Sequence, residues 1–211
     1  MGNLLSHVRF YDFSELAGVR YETLFDTIDG YWKETNGGGA IALQPGEVNM
    51  QGGTLAGAYA LLQKFIAYGH WQPTWIKKRL IRTQIEFSFQ SGGTEDNYFG
   101  TGFFPPYGWG FGIRFKANGI YGYAMNDGPT TETLLLPLTA PYLSETHKFE
   151  ALLYPLVRVE FKIDDVWKAN ITTNVPAGDD DSGVPLYYRV SQGGTLTHVM
   201  RFSSALFFQD Q

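Results

Sequence analysis

A two-residue alternation of apolar and polar side chains is the feature that most constrains how this chain folds. In residues 80–89, LIRTQIEFSF, Ile85 and Phe87 fall on one side of an extended chain and Glu86 falls on the other. Residues 157–163, VRVEFKI, repeat the pattern. Because successive side chains of a strand point to opposite faces, both segments are predicted to be half-buried antiparallel strands.

Turn-forming residues separate the apolar runs. The chain contains 25 glycines and 10 prolines, and aromatic residues make up 16% of it. Asn118-Gly119 is typical of a hairpin, since a type I′ turn needs two positive φ angles, and Asp164-Asp165 marks another tight turn. Residues 55–67 have some helical character, but they follow a Gly-Gly-Thr turn and a strand is favoured. Short strands without interleaved helices predict an all-β antiparallel sandwich.

The charge balance bears on the class of partner. Lys and Arg number 16 against 21 Asp and Glu, a formal net charge of −5, which lacks the basic footprint of a nucleic-acid-binding protein. The chain has no cysteine, which excludes disulfides and thiolate chemistry. Polar residues interrupt segments 1–10 and 48–63, so we expect neither a cleaved signal peptide nor membrane insertion.

The domain organisation is predicted to be simple. No linker divides residues 30–211, which are expected to form one sandwich domain. Residues 1–29 differ in pattern but carry apolar side chains such as Val8 and Phe10. They are predicted to be an N-terminal arm or an added strand.

The order of the segments resembles a known superfamily. Trp109-Gly-Phe-Gly-Ile113 is followed by Gly119-Ile-Tyr-Gly-Tyr123, and His147-Lys-Phe-Glu150 leads to the alternating run at 157–163. Over about residues 30–211 this is similar to the concanavalin A-like lectin/glucanase superfamily, most of all to laminin-G-like modules of phage and viral structural proteins and bacterial surface proteins. The resemblance implies a jelly roll of two antiparallel sheets.

The catalytic motifs of that superfamily are missing. Its retaining glycosidases carry E-x-D-x-x-E on one strand, whereas Glu86 and Glu160 each stand alone and are expected to be solvated charges on an outer face. Residues 115–121 resemble the K-A-G-x-Y motif of alginate-lyase-like members, but Asn118 interrupts it and the companion motifs are absent. We therefore expect the chain not to be an enzyme.

An acidic loop is the only candidate for a cofactor. Asp179, Asp180 and Asp181 lie between glycines, and their oxygen atoms could hold a calcium ion. A solvated acidic loop explains the same residues and is favoured. No other cofactor is expected.

Two aromatic loops are the candidate binding surface. Residues 68–75 and 103–109 contain proline, which keeps them out of central strands. Aromatic rings on such loops can stack on sugars or anchor a protein, or they can close the open ends of the sandwich as part of its core. The rings in question are Trp71, Trp75, Tyr107 and Trp109.

These observations predict a structural or adhesive module rather than a catalyst. The expected place is the surface of a virion or another extracellular structure, as a capsid-decoration or appendage protein. The expected partners are other copies of the chain or neighbouring surface proteins, with glycan contacts in addition. A soluble lectin-like protein is the first alternative, and a glycan-cleaving hydrolase or lyase is the second.

Overall fold

The structure is a computed structural model. It describes residues 18–25, 31–55, 57–64, 75–89, 97–102, 108–138, 142–177, 184–191 and 199–210. Within these ranges the regular secondary structure consists of strands alone. The fifteen strands, in chain order, are β1 Gly18–Thr23, β2 Tyr31–Asn36, β3 Ala40–Gln44, β4 Glu47–Gln51, β5 Tyr59–Lys64, β6 Arg79–Phe89, β7 Asn97–Gly102, β8 Gly110–Lys116, β9 Gly119–Met125, β10 Thr130–Pro137, β11 Tyr142–Tyr154, β12 Arg158–Ile163, β13 Val166–Ile171, β14 Val184–Ser191 and β15 Val199–Asp210.

The strands form two antiparallel sheets. The eight-stranded sheet has the order β13-β12-β11-β6-β15-β4-β3, and β1 also pairs with β15. The seven-stranded sheet has the order β10-β9-β8-β7-β14-β5-β2. The prediction of an all-β antiparallel sandwich is therefore confirmed. The strand favoured within residues 55–67 is β5. A tight hairpin turn joins β8 to β9 as expected, but its two central residues are Ala117 and Asn118, because Gly119 already begins β9 and pairs with Lys116. The expected type I′ turn at Asn118-Gly119 is therefore wrong, since neither residue has a positive φ.

Part of the predicted N-terminal arm joins the sandwich. Strand β1 pairs antiparallel with the C-terminal half of β15. Phe25 is fully buried, with its ring 6.1 Å from those of Tyr31 and Tyr188. Residues 1–17 and 26–30 lie outside the described residues.

Aromatic rings fill the space between the two sheets. The Tyr188 ring of the seven-stranded sheet lies 4.1 Å from the Phe202 ring of the opposite sheet. Phe115 in the same way meets Phe87 and Phe149 across the sandwich, at 5.4 and 5.2 Å. Rings in offset or tilted contact add to the stability that their burial alone provides.

The side chains of Glu86 and Glu160 stand on the outer face of the eight-stranded sheet, as the alternation predicts. Glu86 accepts hydrogen bonds from Arg201 at 3.1 and 3.3 Å, and Glu160 pairs with Arg158 at 2.7 Å. Both carboxylates alternate with buried core residues in their strands. The two glutamates thus act in cross-strand or same-strand ion pairs.

The turn between β11 and β12 contains an unusual residue. The amide of Val157 donates to the carbonyl of Tyr154 at 3.0 Å, closing a β-turn with Pro155 and Leu156 at its centre. Leu156 has a φ of 59°, the left-handed region, at the position where turns of this kind usually place glycine or asparagine. A leucine there carries backbone strain that glycine avoids.

We predict that Leu156→Gly leaves the fold as stable as the wild type or more stable by up to about 1 kcal/mol, because removing the strain offsets the greater freedom of glycine in the unfolded chain. Urea unfolding followed by circular dichroism measures this. Leu153→Gly in the same strand-turn unit is the contrasting variant, because that side chain is fully buried. A loss above about 1 kcal/mol for Leu156→Gly would contradict the strain argument.

Candidate functional site

One row of cross-strand neighbours crosses the whole outer face of the seven-stranded sheet. The antiparallel register places each member opposite the next on the adjacent strand. Seven strands at about 4.8 Å spacing give the row a length of about 29 Å. We call it the outer row; from β2 to β10 it consists of Trp32, Gln63, Tyr187, Gly100, Gly112, Tyr123 and Glu132.

The centre of the outer row is a glycine pair covered by tyrosines. A Cβ atom on Gly100 would overlap the hydroxyl of Tyr123 and lie 2.8 Å from that of Tyr187. The two hydroxyls are hydrogen-bonded to each other above this glycine. Both rings are fully buried and, with Tyr98, form a cluster separate from the central core. The bare backbone at Gly100 and Gly112 thus makes room for the two rings to lie against the sheet.

These tyrosines are kept in their neutral form. Burial raises the pKa of Tyr123, and burial together with the neighbouring Tyr123 raises the pKa of Tyr187 well above its ordinary value. Both groups are therefore neutral hydroxyls at neutral pH, and they act as hydrogen-bond donor and acceptor in the pair.

An ion-pair network stands at the β10 end of the outer row. Glu132 accepts from Arg114 with one carboxylate oxygen and from Lys116, at 2.5 Å, with the other. The Arg114 guanidinium lies 5.1 Å from the Tyr98 ring centre, and Lys116 lies 4.8 Å from that of Tyr121. Burial alone would raise the pKa of Glu132, but the hydrogen bonds from Lys116 and Arg114 outweigh it and lower that pKa.

The β2 end of the outer row is the exposed end. Trp32 is 57% exposed on an edge strand, opposite Gln63. Two residues further along the same face, Glu34 accepts a hydrogen bond from the Tyr59 hydroxyl, and the Arg189 guanidinium lies 5.4 Å from the centre of the Tyr59 ring. Together these five residues form what we call the Trp32 platform: a flat, accessible ring beside amide, carboxylate, hydroxyl and guanidinium groups.

The aromatic loop residues predicted from the sequence are placed in different ways. Trp75 is fully buried, beneath the Arg79 guanidinium at 4.0 Å and edge-on to Phe111 at 6.3 Å. Trp109 is half-buried and packs against the same core. The alternative that these rings close the end of the sandwich therefore describes both residues. Trp71 and Tyr107 lie outside the described residues, and their role in binding stays a prediction.

The acidic loop also falls outside the described part of the chain. Asp179, Asp180 and Asp181 belong to an undescribed segment, so the calcium site stays a prediction. Across the described ranges, no three His, Asp or Glu side chains are grouped so as to hold a metal ion. No helix within those ranges has the length and hydropathy to span a membrane.

Two groups of interacting residues were missed from the sequence. The Trp32 platform could be anticipated in part, because Trp32 and Glu34 are two residues apart in a strand and share a face. His147 contacts Glu145 at 3.1 Å and Asp164 at 2.6 Å. The first of these partners is also two residues away in a strand, whereas the second comes from the β12–β13 turn and depends on the fold.

Solved structures with similar folds share little sequence with this chain. A protein of unknown function from Shewanella oneidensis MR-1 has a TM-score of 0.65 at 10% identity, over 92% of this chain and 87% of that chain. A β-1,3-glucanase from Mycobacterium marinum has a TM-score of 0.62 at 9% identity, over 89% and 97%. The binding domain of Paraclostridial Mosquitocidal Protein 1 has 0.59 at 12%, over 85% of this chain and 44% of that chain.

These likenesses decide the architecture. The chain has the concanavalin A-like jelly-roll fold. The resemblance drawn from the order of its segments is thereby confirmed at the level of fold. No protein-family model matches the chain, and no curated protein sequence matches it.

The same comparison corrects one prediction. We expected from the missing E-x-D-x-x-E motif that the chain is not an enzyme. The prediction is wrong, because a β-1,3-glucanase has the same fold over 89% of this chain at 9% identity. A sandwich of this kind hosts glycan hydrolysis as well as binding, so the lack of one motif does not exclude an activity.

We predict that Gly100→Ala destabilises the protein by about 2 kcal/mol or more, because the new methyl group overlaps the tyrosine hydroxyls and either they or the sheet must move. Chemical denaturation measures the change. Tyr123→Phe removes the nearest oxygen, so the double variant should recover part of the loss. If the losses of unfolding free energy from Gly100→Ala and Tyr123→Phe simply add in the double variant, the tyrosine hydroxyls do not occupy the space that the new methyl group needs.

We also predict a pH-dependent contribution from Glu132. Its pKa is lower in the folded chain than in the unfolded chain, so the stability that it adds is complete above the unfolded pKa and declines as pH falls through the folded value. Glu132→Gln should therefore flatten the dependence of unfolding free energy on pH as the pH falls below 4.5, the ordinary pKa of a glutamate. Glu47→Gln, a substitution outside this network, serves as the control. An unchanged slope for Glu132→Gln would argue against the network.

Proposed function

We propose that the chain is an adhesive module that binds carbohydrate through the Trp32 platform. The observation that carries the proposal is the exposed Trp32 ring on the same sheet face as several hydrogen-bonding side chains. Sugars present an apolar face of C–H groups and an edge of hydroxyls, and an open aromatic ring beside planar polar groups matches both.

The groups around Trp32 are suited to fixing the orientation of a sugar. Gln63 supplies an amide and Glu34 a carboxylate that accepts hydrogen bonds, and Arg189 supplies a guanidinium that donates them. All three sit on strands of one sheet, so their spacing is set by the strand register rather than by loops. A platform held in this way loses little conformational freedom on binding.

The structural neighbours agree with a binding role without deciding it. One is the binding domain of Paraclostridial Mosquitocidal Protein 1, and another is a β-1,3-glucanase. They support the proposal because proteins with this fold include a binding domain and an enzyme named for a glycan.

The proposal extends to where the module works. We place it on the surface of a virion or another extracellular structure, where it would meet glycans and neighbouring subunits. The support is the resemblance of the order of its sequence segments to laminin-G-like modules of phage and viral structural proteins.

Binding of soluble oligosaccharides tests the proposal. We predict that a glycan array followed by NMR titration with the best monovalent ligand finds binding, and that Trp32→Ala weakens it about tenfold or more. Trp32→Phe retains a ring and should retain most of the affinity. Assaying the same mixtures for new reducing ends separates binding from cleavage.

Trp167 offers a matched control. It is 58% exposed on β13, an edge strand of the other sheet. Trp167→Ala removes an equally accessible ring and should leave the titration unchanged, since a monovalent ligand gains nothing from avidity. Loss of affinity in both variants, or in neither, would contradict a site at the Trp32 platform.

A further inference from the structure

Leu156 lowers the stability of its turn through both its backbone conformation and its exposed side chain. Its backbone is in the left-handed region, with a φ of 59°, and its side chain is 75% exposed. Among the described residues it is the most exposed large apolar side chain. Glycine would remove both costs, and a bulky apolar residue in a strained, exposed position is typical of a contact surface.

Further apolar side chains surround that turn. Val157 follows Leu156 and is also exposed. Ile76 is exposed and lies in the turn that leads into β6. Arg79 of β6 pairs with Leu153 of β11. The turns at 75–77 and 155–157 therefore flank the same end of this strand pair.

Basic groups line this apolar patch. The Tyr154 ring has the Lys78 ammonium 4.9 Å from its centre and the Arg158 guanidinium 4.3 Å from it. Arg158 also pairs with Glu160. We call this surface the basic end; it comprises Ile76, Lys78, Leu156, Val157 and Arg158.

The opposite end of the same hairpins carries apolar side chains with acidic neighbours. Val166 and Trp167 are both more than half exposed at the start of β13. Beside them, the carboxylates of Glu145, Asp164 and Asp165 are 58%, 51% and 61% exposed. We call this surface the acidic end, and it consists of these five residues.

Two basic side chains contact the carboxylates of the acidic end. His147 lies between Glu145 and Asp164, and Lys148 pairs with Asp165. Three carboxylates thus outnumber one lysine and one histidine, so the acidic end keeps an excess of negative charge.

The two ends are complementary and face away from each other. Strand β12, Arg158–Ile163, joins them, and its six residues span about 20 Å. Each end has exposed apolar area next to charged groups, with cationic side chains around Tyr154 at one end and an excess of carboxylates at the other. Contact with the other end of an identical molecule would bury the apolar area and bring opposite charges together.

We propose that copies of this chain associate head to tail, with the basic end of one copy bound to the acidic end of the next. In this contact Leu156 and Val157 pack against Val166 and Trp167, while Arg158 and Lys78 face the exposed carboxylates. A contact between two different surfaces leaves one of each free, so association continues beyond the dimer into a ring or a filament. The proposal is independent of the glycan site.

Sedimentation velocity over a range of concentrations tests this. The wild type should form species that grow beyond the dimer, and raising the salt concentration from about 0.05 to 0.5 M should weaken them. Leu156→Asp should reduce the association constant at least about tenfold. Leu134→Asp, at an exposed apolar residue of β10 in the other sheet, should leave it unchanged. A monomer at all concentrations, or a dimer that does not grow, overturns the proposal.

Mixing two variants tests the pairing of unlike ends. Leu156→Asp disables the basic end, and Trp167→Asp disables the acidic end. Each variant alone should be monomeric. In their mixture, the intact acidic end of Leu156→Asp should bind the intact basic end of Trp167→Asp. The resulting heterodimer has no functional end left, so association should stop at two subunits. If Leu156→Asp alone abolishes association while Trp167→Asp has no effect, the basic end binds itself and the proposal fails.

Leu156→Gly distinguishes a contact residue from a structural one. It should weaken association at least about tenfold, yet its melting temperature should equal or exceed that of the wild type, because the strain at φ 59° is gone. A lower melting temperature together with unchanged association would show that the leucine serves the fold.

Discussion

The contact between inward-facing aromatic rings of the two sheets is the interaction on which the rest of the structure depends. Tyr188 meets Phe202 across the sandwich, and Phe115 meets Phe87 and Phe149. Because successive side chains point to opposite faces wherever a strand is regular, fixing these inner positions also fixes the neighbouring outer ones, and a slip of one residue would exchange the two faces. The outer row and the Trp32 platform therefore have their geometry from the same packing that stabilises the core.

Local pattern was enough to predict the elements and the fold class. The alternation in β6 and β12 needs only the period of a strand. The Asn-Gly pair correctly predicted a hairpin between β8 and β9, but the turn itself lies one residue earlier, at Ala117-Asn118. The outer row could not be predicted in this way. Trp32, Gln63 and Tyr187 become neighbours only through the register of strands that are far apart in the chain. For the same reason, Trp75 was predicted on a loop that could bind a partner, whereas the fold places it beneath Arg79.

Edge strands concentrate the accessible aromatic surface of this sandwich. Trp32 lies on β2 at one edge of the seven-stranded sheet, and Trp167 lies on β13 at one edge of the eight-stranded sheet. Central positions of the outer faces are occupied differently, by buried tyrosines over glycine or by ion pairs such as Arg82–Glu150. Two surfaces on different sheets allow the proposed glycan contact and the proposed contact between copies to be occupied at the same time.

Strand β15 has a consequence for how the chain reaches its native state. It pairs with β6 along one side and with both β4 and β1 along the other, so it joins the two halves of the eight-stranded sheet. During synthesis on the ribosome, no strand can join these halves by backbone hydrogen bonds until residues 199–210 have emerged. Strand pairs between segments this distant in sequence form slowly. Until β15 pairs, the edges of β6 and β4 that it later covers remain exposed. The nascent chain should accordingly depend on chaperones more than its modest size suggests.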